Sequence, residues 1–190
     1  MLELTIIVAH HDLYEKAGIL HCDINVNNLM VNVERPDLGI LLDLDLAVKT
    51  REHGAEIDAA ATRIGTRPFL ATDLLLDSDL RHHLYRFDLE SFVFALAWIM
   101  AYYRDGKEID ASLYRSWHSG DLNSIGHLKR EFLTHGDDTT RWQFGGLKST
   151  WMRRLAEEFA AGFAHGDGMD NFATLNGHVT YESFCAILES

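Results

Sequence analysis

Residues 21–47 read HCDINVNNLMVNVERPDLGILLDLDLA. The first eight, His21 to Asn28, are polar and loop-like, and Asn28 stands five residues after Asp23. Two short apolar runs follow, Leu29 to Val33 and Gly39 to Leu42. The turn residues Glu34-Arg35-Pro36-Asp37 separate them, and this pattern predicts a small β-hairpin. Asp43 closes its second strand, so the hairpin folds Asp43 back toward Asp23 and Asn28. A carboxylate on a polar loop can orient and deprotonate a hydroxyl. An asparagine amide oxygen and a second carboxylate are hard oxygen ligands suited to Mg²⁺. Phosphoryl transfer needs these parts: a positioned nucleophile and neutralised phosphate charge.

Upstream, residues 2 to 17 predict a helix with Leu4, Ile7, Val8, His11 and Tyr14 on one face and Gly18 as its stop. Downstream, Lys49 to Arg67 predicts a surface loop whose length without periodicity points to function or disorder. From Arg86 the chain reads as helical. Asp88 is placed to cap or begin a long apolar helix running to Tyr103. Further helical patterns fall near Ala111–His118, Ile125–His135, Leu147–Phe163 and Tyr181–Leu188. The loops DLNS, HGDD and AHGDGMDN separate them. The expected fold is mainly α with one small β-hairpin, in a single domain spanning residues 1–190.

Composition narrows the function. Of 190 residues, 47% are hydrophobic and 24% charged, the balance of a soluble globular protein. The net charge of −12 repels phosphate backbones and anionic lipid, which argues against nucleic-acid and membrane partners. The same charge suits an ATP enzyme only with Mg²⁺ to bridge carboxylates and phosphate. Cys22 and Cys185 lack metal-type spacing and read as reduced thiols. The amino terminus lacks the marks of a signal peptide, and the apolar run Ser91 to Tyr103 is too short to span a bilayer. A cytoplasmic or nuclear location is expected.

Adjacent histidines on a helix diverge, so His10-His11 and His82-His83 read as structural or surface pairs rather than metal sites. His165-Gly166-Asp167 lacks a following Asn at the right offset and reads as a loop. Lys49, Arg51, Arg63 and Arg67 read as solvated charge. Phe92, Phe94, Trp98, Tyr102 and Tyr103 read as the core of the long helix, and Trp142, Phe144 and Trp151 as core or rim.

Four features stand in order: HCDINVNN (21–28), LLDLDLA (41–47), GTRPFLATDLL (65–75) and Asp88-Leu89-Glu90-Ser91. Together they resemble the catalytic loop, the DFG metal segment, the APE-terminated segment and the following helix of protein kinases. NVNNLM, the paired aspartates Asp43 and Asp45, and YRFDLESFVFALAWI are most similar to the fungal-type protein kinase family. The resemblance runs from about residue 2 to Tyr103, and more weakly beyond. It implies a kinase C-terminal lobe with the catalytic loop at 21–28, metal motif at 43–45, activation segment at 43–73 and core helix at about 86–103. It implies that Asp23 is catalytic, that Asn28 and Asp43 hold Mg²⁺ and through it ATP, and that Asp45 can add a ligand. His21, Asp73 and Asp88 would support the site, Asp88 by bonding the catalytic-loop backbone. Thr66 would face the substrate. Asp73 would pair with a distant arginine, for which Arg153 and Arg154 are the candidates.

Three departures from the kinase pattern carry consequences. Cys22 replaces the arginine that binds an activation-loop phosphate, which argues against control by that modification. Asn25 replaces a lysine near the transferred phosphate, which removes transition-state charge stabilisation. No GxGxxG and no strand lysine precedes the catalytic loop in these 190 residues. The expectation is a C-lobe without the N-terminal lobe that covers ATP, so that a missing N-lobe or a partner chain would complete it. Three functions follow. The first is Ser/Thr-type phosphorylation of protein substrates from MgATP, incomplete in this chain alone. The second is a catalytically inactive lobe serving as an interaction module or truncated product. The third is a small-molecule phosphotransferase of the aminoglycoside or choline kinase type. If no lobe covers it, apolar residues near Leu2–Leu4, Leu29 and Leu41 should be exposed.

Overall fold

The computed structural model describes residues 2–50, 55–56, 65–80, 82–104, 107–108, 114–135, 146–164 and 170–190. Helix α1 (Leu2–Ala17) opens the chain. It stops where Gly18 takes a left-handed φ of +64°, a conformation that glycine adopts without Cβ strain. The buried face of α1 is Ile6, Ile7 and His10, while Val8 points outward, one position off the face expected from the sequence. Strand β1 (Ile19–Leu20) leads into residues 21–28, which end in a short 3-10 turn, Val26–Asn28.

The hairpin forms as expected. Strands β2 (Leu29–Val31) and β3 (Gly39–Leu41) pair antiparallel, with Leu29 opposite Leu41 and Val31 opposite Gly39. Asn32 closes the turn, its side-chain oxygen accepting from the backbone N–H of Glu34 (2.9 Å) and Arg35 (3.0 Å). Thr5 ties α1 to the hairpin by accepting from Gly39 N–H at 2.8 Å. Strand β4 (Val48–Lys49) returns to pair with β1. Strand β5 (Ala55–Glu56) pairs antiparallel with β6 (His82–His83) across the two ends of the segment that contains GTRPFLATDLL. Between them lie the 3-10 turn Arg67–Phe69 and helix α2 (Thr72–Leu76).

Helix α3 (Tyr85–Tyr102) is the centre of the fold, with thirteen of its residues buried. Asp88 lies inside this helix, not at its cap; Leu84 holds the capping position without a side-chain bond. Strands β7 (Tyr103–Arg104) and β8 (Lys107–Glu108) follow as a small ladder. The fold is therefore mainly helical, with the hairpin and three two-residue ladders among the described residues. Of the pattern expected at 111–118, residues 115–117 form a 3-10 turn and 111–113 lie outside the described residues.

Helix α4 (Leu122–His135) begins earlier than its apolar pattern. Asp121 caps it by accepting from Ser124 N–H (2.9 Å), which recruits DLNS from loop to helix. Helices α5 (Gly146–Phe163) and α6 (Tyr181–Leu188) complete the chain. Thr180 and Ser183 bond reciprocally at the start of α6, each at 3.1 Å, a cap contributing about 1 kcal/mol. The histidine-glycine-aspartate at 165–167 and the aromatic positions 142 and 144 lie outside the described residues. Trp151 is buried.

Helix α1 packs on α6, α2 on α4, α4 on α5, and α3 on α5. Phe94, Trp117 and Phe132 meet edge to face at 5.3 Å and more obliquely, with Tyr114 stacked on Trp117 at 4.1 Å. Aromatic contacts of this kind add about 0.5–1.5 kcal/mol each beyond burial. Among the described residues no helix is long and apolar enough to cross a membrane.

Candidate active site

The loop 21–28 is shaped by its own side chains. Asn25 accepts from Asn27 N–H (2.9 Å) and donates to the carbonyl of Asp23 (3.1 Å). This buried amide is spent on holding the loop, so the residue found where a cation was missed is a structural brace. His21 accepts from Asp23 N–H at Nδ1 (3.3 Å), which leaves Nε2 to donate to the carbonyl of Leu42 (2.8 Å). It thereby links the catalytic loop to the strand end that carries Asp43. Cys22 adopts φ +64°, a left-handed conformation costing about 1–3 kcal/mol for a side chain with Cβ.

Asp23, Asn28 and Thr66 converge. Thr66 donates to Asp23 Oδ1 from both its backbone N–H and its hydroxyl, each at 2.8 Å. Asn28 donates from Nδ2 to the Asp23 carbonyl (2.9 Å) and to Oδ2 (3.3 Å). A carboxylate offers about four acceptor positions. Among the described residues three donors meet the half-buried Asp23 carboxylate. Gly65 permits this approach: at φ +122°, a Cβ there would stand 2.9 Å from the Cys22 carbonyl oxygen and 2.9 Å from Leu70 Cδ2. Sequence reasoning passed over Gly65, although a glycine directly before Thr66 was a readable signal.

Asp43 comes alongside through the backbone, because Leu42 N–H donates to the Asn28 carbonyl at 2.9 Å. It is exposed and left-handed at φ +63°, and its Oδ1 accepts from Asp45 N–H (3.1 Å). Asn28 turns its amide nitrogen to Asp23, so its amide oxygen faces away. An amide oxygen and carboxylates, as Asn28, Asp43 and Asp45 carry, are hard-oxygen groups of the type Mg²⁺ takes. Among the described residues no three His, Cys, Asp or Glu side chains cluster as a metal site.

Asp88 lies buried behind the loop. Its Oδ2 accepts from His21 N–H (2.9 Å) and His10 Nε2 (2.8 Å); its Oδ1 accepts from Cys22 N–H (3.2 Å) and His83 Nε2 (2.9 Å). Burial raises its pKa, but His83 and His10 outweigh it and hold the carboxyl well below the usual range. The bond to the loop backbone is the role expected of Asp88. The two histidines were not foreseen in it. One member of each pair, His10 and His83, turns inward; His11 stacks on Tyr181 at 3.7 Å and His82 is exposed.

Asp73 pairs with Arg86 and Arg130, not with Arg153 or Arg154. Arg153 instead pairs with Glu157 on the exposed face of α5, and Arg154 bonds Ser190. Arg86, fully buried, also donates from Nε to the Phe172 carbonyl at 2.7 Å. Glu90 accepts from Thr72 N–H at 2.6 Å, and its pKa is raised by burial and by Asp73. Lys129 is buried, donates to the Leu70 carbonyl and lies 3.7 Å from the Phe94 ring centroid. Burial pushes its pKa well below the ordinary lysine value, with Glu90 opposing. These contacts fasten residues 66–73 to α3 and α4.

An apolar cavity of about 250 Å³ opens beside the hairpin, lined by residues that include Ile7, Leu29, Val31, Phe92, Leu96 and Leu188. Met30 and Val31 are exposed, as are Leu42, Leu44 and Leu46. Apolar exposure was expected near Leu2–Leu4, Leu29 and Leu41; Leu4, Leu29 and Leu41 are themselves half-buried, and the exposure at the hairpin falls on their neighbours Met30, Val31 and Leu42. The burial of Leu2 lies outside the described residues.

No curated protein matches the chain. The family model described as fungal protein kinase matches residues 4–100, which span most of α1, the loop 21–28, the hairpin and most of α3. The chain belongs to the fungal protein kinase family.

Proposed function

We propose that this chain is the C-terminal lobe of a Ser/Thr-type protein kinase that transfers phosphate from MgATP to protein hydroxyls. The observation that carries this reading is Asp23: three donors among the described residues hold its carboxylate, which has about four acceptor positions to offer, and in this reading the fourth receives an alcohol. In this reading Asp23 receives the hydroxyl hydrogen bond, aligns the oxygen and takes its proton. Asn28 fixes the Asp23 carboxylate and, with Asp43 and Asp45, offers oxygens to Mg²⁺. Bound MgATP supplies the phosphoryl group and neutralises its charge. Thr66 sets the near edge of the acceptor seat, and the fastened segment 66–73 presents the peptide. No glycine-rich loop or strand lysine stands among these residues, so nucleotide cover comes from an N-terminal lobe or a partner chain.

The test is to fuse a family N-lobe ahead of the chain and measure phosphate transfer to protein acceptors. Asp23→Ala should abolish transfer; equal rates for variant and wild type would refute the role. Transfer to amino sugars or choline, with none to protein, would move the assignment to a small-molecule phosphotransferase. A second reading, a non-catalytic interaction lobe, is favoured by the apolar cavity and the exposed Met30 and Val31. Tight MgATP binding by the chain alone, seen by calorimetry, would count against it.

A further inference from the structure

We propose that His10 and His83 are paired positioning residues that orient the Asp88 carboxylate and through it set the direction of Asp23. This rests on reading Asp23 as the acceptor-orienting carboxylate. Two backbone amides alone, those of His21 and Cys22, leave a carboxylate free to rock about its own axis. Here each oxygen takes one imidazole, the His21 amide bonds Oδ2, and the Cys22 amide is shared between Oδ1 (3.2 Å) and Oδ2 (3.4 Å), so donors on both oxygens fix the plane of Asp88. The imidazoles come from separate parts of the chain, His10 from α1 and His83 from β6. Together with Asp88 on α3 they form a joint between three elements and the loop.

Both rings are held in place. His10 is fully buried, stacked on Tyr85 at 4.9 Å and edge-on to Phe92 at 5.3 Å. Its Nδ1 is buried with no hydrogen-bond partner among the described residues. Its Nε2 faces the Asp88 carboxylate, an acceptor only, and so carries the proton that bond requires. His83 is 3% exposed and meets Phe87 edge to face at 5.5 Å. The carboxylate they fix is the one that bonds the N–H of left-handed Cys22, the residue directly before Asp23. A glutamine amide can reach the position of an imidazole Nε2 and donate there; a phenylalanine fills the same space and cannot. Packing alone and positioning are thereby separable.

The experiment is nuclear magnetic resonance on the whole chain. In the unaltered protein, long-range nitrogen–proton correlation should show Nε2 protonated in both rings. An unprotonated Nε2 at either histidine overturns the proposal. In His10→Phe and His83→Phe, amide hydrogen exchange at His21 and Cys22 should accelerate at least tenfold relative to amides in the middle of α5. In His10→Gln and His83→Gln it should return to within threefold of wild type. Unchanged exchange in the Phe variants, or Gln variants no better than Phe, also overturns it. The Nε2 protonation measurement stands if a Phe variant does not fold. None of these readouts uses turnover. A chain that passes them yet transfers no phosphate when given its N-lobe keeps the joint and loses the kinase reading.

Discussion

Replacing Asp73 by asparagine tests the clasp that fastens the segment 66–73 to the helices. The substitution keeps shape and removes charge from a carboxylate held by Arg86 and Arg130. Breaking a buried ion pair by removing one partner costs about 3–5 kcal/mol, because the other charge stays buried. Two features reduce that cost here. The Arg130 side chain is 29% exposed and can hydrate. Arg86 keeps Glu90, whose Oε2 lies 3.7 Å from Nη1, and the lost Asp73 charge lets Glu90 ionise more readily. The expected loss is about 2–4 kcal/mol. At a urea slope of about 2 kcal/mol/M, the midpoint falls by about 1–2 M. The fluorescence of buried Trp117 and Trp151 reports the transition. Arg86→Met should cost more than Arg130→Met, because Arg86 is fully buried and also bonds Phe172. Arg153→Ala should cost about 0.5 kcal/mol or less, since its ion pair with Glu157 is more than half exposed. A midpoint shift below 0.3 M for Asp73→Asn (about 0.6 kcal/mol at that slope), or an equal loss in Arg153→Ala, would refute the reasoning.

Three further outcomes are expected. The Asp88 pKa is depressed in the fold, so its contribution is complete above the ordinary value of 3.8 and lost as pH falls through the folded value. The difference in urea midpoint between wild type and Asp88→Asn should therefore be constant above about pH 5 and narrow below about pH 4; a difference that holds unchanged to pH 2.5 (about one unit under the ordinary value) contradicts it. Burial, then the charge of Asp88, pushes the Cys22 thiol well above its usual range, so thiol reagents should leave it intact until the chain unfolds; rapid labelling of native Cys22, read by mass spectrometry, counts against this packing. Gly126→Ala places a Cβ 2.7 Å from Leu76 Cγ and Cδ2 and 3.1 Å from Leu75 Cβ, overpacking the α2–α4 contact at a cost of about 1–3 kcal/mol; a variant as stable as wild type would show that α2 yields freely.

The parts of this fold that were legible in the sequence are those whose signal is local. Asp23, Asn28 and Asp43 are joined by one hairpin, so their spacing along the chain carries their proximity in space. Helices α1, α3, α5 and α6 announce themselves by apolar period and by stops such as Gly18. What was illegible depends on distant pairings. Asp73 and Arg130 are 57 positions apart, and nothing near either residue names the other. His10 and Asp88 are separated by 78 positions. A buried carboxylate in the first helical turn has the same local pattern as a capping one, so the pattern alone left Asp88 open as a cap; the resemblance to kinases gave its bond to the loop backbone, and its two histidines stayed hidden. Asn25 read as a lost cation for the same reason, since its bonds to its own loop are invisible in composition.

Residues 66–73 are fastened at every stage: Thr66 to Asp23, Leu70 to Lys129, Thr72 to Glu90, and Asp73 to two arginines. Under the proposed function, a peptide laid along such a bed would find it already set, so little entropy would be spent on ordering the protein when the two meet. Association would then be governed by the peptide's own stiffness, and loosening any one fastening would slow the grip without redrawing its shape.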